Sequence, residues 1–146
     1  MTVPPCESIV IRFEGDSGDG IISMGKIAAK TAARLGYHVY TYSTFLAVVR
    51  GGQVTFQLRI GTKPLLSQGD NPDILVALNK QALLDHGLSV RDGGLILHPP
   101  VNGVGAEAVA PGATAQTIGF EEMALDVTGV ARSKNLVAAG ALLGAI

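Results

Sequence analysis

The chain lacks the means for several kinds of chemistry. It has one cysteine, Cys6, in 146 residues, so alone it can build no disulfide, thiolate zinc site or iron–sulfur cluster. Any such cluster belongs on another polypeptide. Charge of one sign is also missing: 11 Lys and Arg stand against 12 Asp and Glu, for a net charge of −1, and no basic run occurs. A nucleic-acid binder needs a basic face to displace counterions from phosphates, which sets that class aside. No apolar run approaches the ~20 residues that span a bilayer. The start, Met1-Thr2-Val3-Pro4-Pro5, has neither the basic nor the apolar region of a signal peptide. The expectation is a cytoplasmic protein with no membrane span.

What is present suits one globular domain over residues 1–146, because a chain of this size buries roughly 68–70% of its unfolded surface and so holds its own core. Neither a domain boundary nor a repeat interrupts it. Glycine is in excess, 19 of 146 residues against a usual share of about 7%. It is clustered rather than periodic, and clustered glycine marks close approaches of the backbone.

Ser8 to Glu14 alternates and is rich in β-branched residues, which predicts a first strand. Gly15-Asp16-Ser17-Gly18-Asp19-Gly20 follows, with three residues tolerant of positive φ, and an amphipathic run from Ile21 to Gly36 predicts a helix. Tyr37 to Tyr42 predicts a second strand, closing a parallel β-α-β unit. Ser43 to Arg50 reads as a loop with one helical turn, broken by Gly51-Gly52. Gln53 to Ile60 alternates as a strand with one wet face, expected near a sheet edge, whereas Ile74 to Leu78 is a continuous apolar run typical of a strand buried on both faces. A helix from Asn79, as N-cap, to His86 is stopped by Gly87. Strands at Gly94 to His98 and Thr114 to Ile118, and helices at Phe120 to Val127 and Arg132 to Ile146, complete the chain. The fold class is α/β: a single three-layer α/β/α domain around an open sheet, mostly parallel or mixed.

The loop of Gly15, Asp16, Ser17, Gly18, Asp19 and Gly20 is the foremost candidate site. A glycine turn entering a helix points free N–H groups and a positive dipole end at whatever lies there, and phosphate is the usual guest. The spacing G-x-x-G-x-G is not the dinucleotide fingerprint, and no P-loop lysine follows. Asp16 and Asp19 repel an anion and suit hydroxyl, amine or backbone N–H partners better. A tight turn with the aspartates as helix caps is the competing reading. Arg50, Gly51 and Gly52 form the second candidate, since the guanidinium fork fits phosphate or carboxylate; an interface or interior ion pair competes. Ligands of open parallel sheets bind beyond the carboxyl ends of strands, so residues 15–20 and 43–52 are expected to face one crevice.

His38, His86 and His98 are scattered without metal-ligand spacing and read as structural. Ser17 sits between Asp16 and Gly18 in GDSGDG, not in G-x-S-x-G, and lacks an evident Asp–His order for a nucleophile. Leu136 to Ile146 is apolar all round and must be covered on every side, by the sheet or by another domain or subunit. Gly140 and Gly144 would allow close helix contact there.

The order strand, GDSGDG, helix, then YSTF…VVRGGQVTFQLRI, then NPDILVALN, resembles the gamma domain, or gamma subunit, of 2-oxoacid:ferredoxin (acceptor) oxidoreductases. The GDSGDG form is most like the 2-oxoglutarate type, where this domain is often the N-terminal part of a longer alpha subunit. The resemblance is good over residues 8–80 and looser beyond, through the strand–helix order and the final SKNLVAAGALLG. It implies a subunit of a complex that oxidatively decarboxylates a 2-oxoacid such as pyruvate or 2-oxoglutarate with thiamine diphosphate and magnesium. Electrons pass through [4Fe-4S] clusters to ferredoxin, and the acyl group goes to coenzyme A. In such complexes the gamma domain holds no cofactor and is not catalytic alone. It packs against alpha and beta chains and helps form the coenzyme A crevice, onto which GDSGDG and Arg50-Gly51-Gly52 carry over. Gamma domains of the family generally continue for some tens of residues further, so the resemblance leaves open a truncated unit, a fragment of a fusion or a minimal form. Where the family has proline and glutamate before the Arg-Gly pair, this chain has Leu46-Ala47-Val48-Val49, so no acidic contact is expected there. The residues read without the resemblance suit a stand-alone nucleotide- or phosphate-binding α/β domain.

Overall fold

The computed structural model describes residues 7–46 and 52–145. Its elements run β1 (Ser8–Asp16), α1 (Ile21–Arg34), β2 (His38–Phe45), β3 (Gln53–Gly61), β4 (Ile74–Ala77), α2 (Lys80–His86), β5 (Leu95–His98), β6 (Thr114–Thr117), α3 (Phe120–Thr128) and α4 (Lys134–Ala145). The six strands form one sheet in the order β2-β3-β1-β4-β5-β6. β1, β4, β5 and β6 pair in parallel, whereas β3 is antiparallel to both β1 and β2. The sheet is therefore mixed, with β3 the one reversed member among the described residues.

Four expectations about this half of the sheet are corrected. β1 and β2 run parallel, as the β-α-β unit requires, but they are not neighbours, because β3 inserts between them along a nine-residue ladder from Ser8↔Gly61 to Asp16↔Gln53. β3 is consequently not at the edge; β2 is. The polar side of β3 is not wet either. Gln57 is 4% exposed, with its amide donating to the carbonyls of Gln68 and Gly69, so a loop rather than solvent covers it, and Gln53, Thr55 and Arg59 on the same side are half-buried. β2 also continues through Ser43, Thr44 and Phe45, paired with Phe56, Thr55 and Val54, where a loop was expected. Cys6, Ala47, Val48, Val49, Arg50, Gly51 and Ile146 lie outside the described residues.

The strand alternation builds two cores. Ile11 and Phe13 of β1, Val54, Phe56 and Leu58 of β3, and Ile74 and Val76 of β4 pack with Ile21 and Met24 of α1, Phe120 of α3, and Ala138 and Leu142 of α4. On the opposite face Leu75, Ala77 and Ile96 pack with Ala82 and Leu83 of α2 and with Val90, Ala108 and Ala110. Each large side chain fully removed from water contributes about 1.5–3 kcal/mol, so these faces fix the register. α1 lies on one face and α2 on the other, which makes the β1/β4 boundary the point where the connections diverge.

The ends of the helices follow their sequence signals. Asn79 caps α2, its side chain accepting from the Ala82 N–H at 2.8 Å. Gly36 at φ 92° stops α1, and Gly129 at φ 72° stops α3. α4 is covered on one side alone: Ala138 and Leu142 are buried, while Leu136 and Leu143 stay largely exposed. No helix of the described residues is long and apolar enough to cross a membrane.

Candidate functional site

The glycine loop begins inside the strand. Gly15 and Asp16 are the last residues of β1, paired with Val54 and Gln53, so the turn proper is Ser17 to Gly20. Its closure is a backbone bond from the Asp19 N–H to the Asp16 carbonyl at 2.9 Å, reinforced by the Asp16 N–H donating to Asp19 Oδ2 at 2.9 Å. Asp19 thus folds back on its own turn. Neither aspartate caps α1: the N-cap is Gly20, with no side-chain cap bond and no acidic residue in the first turn. The N-terminus of α1 keeps its positive end uncompensated by its own helix.

The three glycines do different jobs. Gly20 adopts φ 75°, and a Cβ there would strike Asn135 at the start of α4. A Cβ on Gly15 would meet Asp19 Oδ2 at 2.8 Å and Leu78 Cβ at 3.1 Å. Both are glycine for internal reasons. Gly18 is different, since its φ is not positive and a Cβ would find nothing within 4 Å. Of the three, then, Gly20 alone uses the left-handed region.

Asp19 has a second partner that the sequence reading missed. Lys134 Nζ, at the start of α4, lies 3.0 Å from Asp19 Oδ1 and 3.3 Å from Glu121, with the Lys134 and Asp19 side chains 13% and 12% exposed. Burial works against the ammonium charge, but the Asp19 and Glu121 carboxylates outweigh it and hold the Lys134 pKa above the ordinary lysine value. The expectation that Asp19 prefers an amine and a backbone N–H matches this arrangement. Lys134 and Asn135 were legible only as part of the final SKNLV run.

Asp16 points the other way. Its Oδ1 accepts from Gln53 Nε2 at 2.8 Å, and the Ser17 N–H donates to the Gly52 carbonyl at 3.1 Å. Gly52 and Gln53 thus reach the turn. Beyond the carboxyl ends of β1, β4 and β5 opens a crevice of about 820 Å³, bordered by Asp16, Asn79, Lys80, Asn102, Glu122 and Lys134. It lies at the divergence of the connections, where open α/β sheets bind ligands. Lys80 and the 99–102 segment were not singled out in the sequence. Their signal was positional, as the residues directly after β4 and β5.

The remaining candidates separate plainly. The Ser17 N–H is held by Gly52, but no histidine among the described residues pairs with its hydroxyl. His86 Nδ1 takes up Arg12 at 3.2 Å, and His98 Nδ1 faces the Pro99 carbonyl at 2.8 Å. A nucleophile–base pair is thus missing among the described residues. No group of three or more metal-ligating side chains occurs among them.

This geometry has a family. The chain matches the pyruvate ferredoxin/flavodoxin oxidoreductase (POR) family over residues 10–146, and it belongs to that family. It is 36% identical over 97 residues to the 2-oxoglutarate oxidoreductase subunit KorA of Mycobacterium tuberculosis, covering 62% of this chain and 15% of that protein. It is 33% identical over 93 residues to the pyruvate/ketoisovalerate oxidoreductases common subunit gamma of Thermococcus kodakarensis, covering 61% of this chain and 50% of that one. Among solved structures, a 2-oxoglutarate:ferredoxin oxidoreductase from Magnetococcus marinus, with 2-oxoglutarate, coenzyme A and succinyl-CoA bound, superposes with a TM-score of 0.84. Its identity is 33%, over 94% of this chain and 24% of that chain. The chain thus spans half or less of each of these relatives.

Proposed function

We propose that this chain is the gamma domain of a 2-oxoacid:ferredoxin oxidoreductase complex, non-catalytic alone, and that its crevice forms part of the coenzyme A site. The observation that carries the reading is the position of the crevice at the sheet's divergence point, bordered by Asp16 of the glycine loop, together with a Gly18 in the same loop that the chain's own packing does not require. A glycine with open space around it suits the close approach of a ligand to backbone N–H groups. Gly18, Gly20 and the Arg50 fork bind and orient the nucleotide end, and Lys80, on the rim, adds a point charge for phosphate. Thiamine diphosphate, magnesium and the [4Fe-4S] clusters belong on the alpha and beta chains, since a cluster takes four thiolates and this chain has one cysteine. Those groups supply decarboxylation and electron transfer to ferredoxin when bound. The exposed Leu136 and Leu143 of α4 support docking of this domain against those chains.

The experiment is done on the assembled complex. Gly18→Val and Arg50→Ala are each expected to raise the coenzyme A KM about tenfold or more, the scale of one lost charge-assisted contact. Dye reduction by 2-oxoacid in a single turnover without coenzyme A stays at the wild-type rate. Unchanged coenzyme A KM in both variants refutes the assignment. If the chain instead runs as a lone monomer and binds nucleotide without partners, the stand-alone binding domain replaces this reading.

A further inference from the structure

A second cavity, of about 340 Å³, lies on the α2 face of the sheet between β1, β3 and the end of α2. It is separate from the crevice and plays no part in the function proposed above. Its lining carries two carboxylates beside His86, Thr44 and Thr55. Glu14 of β1 borders it with its side chain 2% exposed, and Glu14 Oε2 has no hydrogen-bond donor among the described residues. Gln53 of β3 also borders it, and Gln53 Oε1 is likewise buried without a donor. Asp85 of α2 adds a second carboxylate, and no lysine or arginine borders the cavity among the described residues.

Neither orphaned oxygen is a matter of choosing an orientation. The Gln53 amide nitrogen is claimed by Asp16 Oδ1 at 2.8 Å, which turns its oxygen away from that carboxylate. His86 Nε2 stands 2.9 Å from Glu14 Oε2 but is not aligned as a hydrogen bond. The imidazole is oriented by Arg12, whose Nη1 meets Nδ1 at 3.2 Å. Arg12 itself does not hydrogen-bond Glu14. Its guanidinium is taken up by Gln57, His86, Ser89 and the Asp70 carbonyl. A buried carboxylate oxygen and a buried amide oxygen left without donors are costly, and native structures rarely keep such groups without a partner.

We infer that this cavity is a binding site for a guanidinium group, carried by an arginine side chain of a partner or by a small molecule. Two donor-free oxygens on β1 and β3, with the Asp85 carboxylate of α2 beside them, one oxygen of which accepts from Gln81 Nε2 at 2.6 Å, call for several N–H donors carrying a positive charge, which a guanidinium supplies. A hard metal ion fits less well, as no cluster of three ligating side chains is present among the described residues. Leu46, exposed and bordering the cavity, offers apolar surface to an alkyl stem.

The test is a titration of the full chain with methylguanidinium chloride, followed by the Gln53 side-chain amide signals in NMR, with tetramethylammonium chloride at equal ionic strength as the control. A saturable shift is expected with methylguanidinium alone. Glu14→Gln, which keeps the shape, should weaken binding at least about tenfold. Asp85→Asn, on an exposed helix position, should weaken it less. In the assembled complex, a site closed to the probe identifies the partner's arginine as the source, and a site still open identifies a free ligand. The inference is overturned by an unsaturable response equal to that of tetramethylammonium, or by no effect of Glu14→Gln. Binding that appears only in Arg50→Ala also overturns it, because this chain's own arginine would then be the occupant.

Discussion

Replacing Lys134 by Met removes the cation that ties the start of α4 to the glycine loop, and the cost can be worked from the geometry. Two unit charges 3.0 Å apart attract by about 5 kcal/mol at an effective dielectric of about 20. Desolvation of two groups this well covered opposes much of that, at several kcal/mol per ion before relaxation. Glu121 is 65% exposed and adds at most a few tenths of a kcal/mol. The coupling between Lys134 and Asp19 is therefore expected near 2 kcal/mol. Lys134→Met alone should cost about 3 kcal/mol, because it leaves the Asp19 carboxylate covered with the Asp16 N–H as its remaining donor. Urea unfolding at pH 7 of wild type, Lys134→Met, Asp19→Asn and the double variant measures both quantities. The pH dependence has a definite sign. The raised Lys134 pKa means that the folded state holds this proton more tightly than the unfolded chain does. That stabilisation is full below the ordinary lysine value of about 10.4 and is lost as pH rises through the folded value. The gap between wild type and Lys134→Met should stay constant from about pH 7 to 10 and narrow above it. A coupling below about 0.5 kcal/mol, the usual scatter between independent sites, refutes the clamp.

Gly25→Ala should destabilise by about 1–3 kcal/mol in urea, despite the better helix propensity of alanine. A Cβ there runs into the Phe56 ring, which packs at 6.5 Å and 54° on Phe13 inside the core. Arg12→Lys should cost about 2 kcal/mol by the same measurement. Lysine keeps the charge but cannot span Gln57, His86, Ser89 and the Asp70 carbonyl with one ammonium. Asn79→Ala should cost about 1 kcal/mol through loss of the α2 cap. In the assembled complex it should also perturb coenzyme A binding, because Asn79 borders the crevice.

The local elements were legible residue by residue. Alternation placed Ile11, Phe13, Val54, Phe56 and Leu58 on one face, a continuous apolar run identified β4 as buried on both, and Asn79, Gly36 and Gly87 marked helix ends that the structure keeps. The GDSGDG turn was recognisable as a backbone device, and an amine and a backbone N–H were the right kinds of partner for Asp19. Strand order was not legible. Side-chain period says which residues share a face but not which strand lies beside which, so the placement of β3 between β1 and β2 came from nine paired residues that no local pattern contains. The same limit hid the polar side of β3. Gln57 alternates like a solvated residue, yet a loop from elsewhere in the chain supplies its partners.

Composition and periodicity by themselves determined a one-domain α/β chain with a single cysteine, no basic nucleic-acid face and a glycine turn entering its first helix. These follow from local chemistry: backbone freedom at glycine, side-chain alternation and the count of thiolates. Tertiary structure alone decided that Lys134, more than a hundred residues along the chain, closes on Asp19, and that Gly18 is the one glycine of the turn left open. It alone left Glu14 and Gln53 facing one cavity without donors among the described residues. Such pairings depend on which elements the sheet brings side by side, and burial then makes each unmet charge or oxygen costly enough to matter.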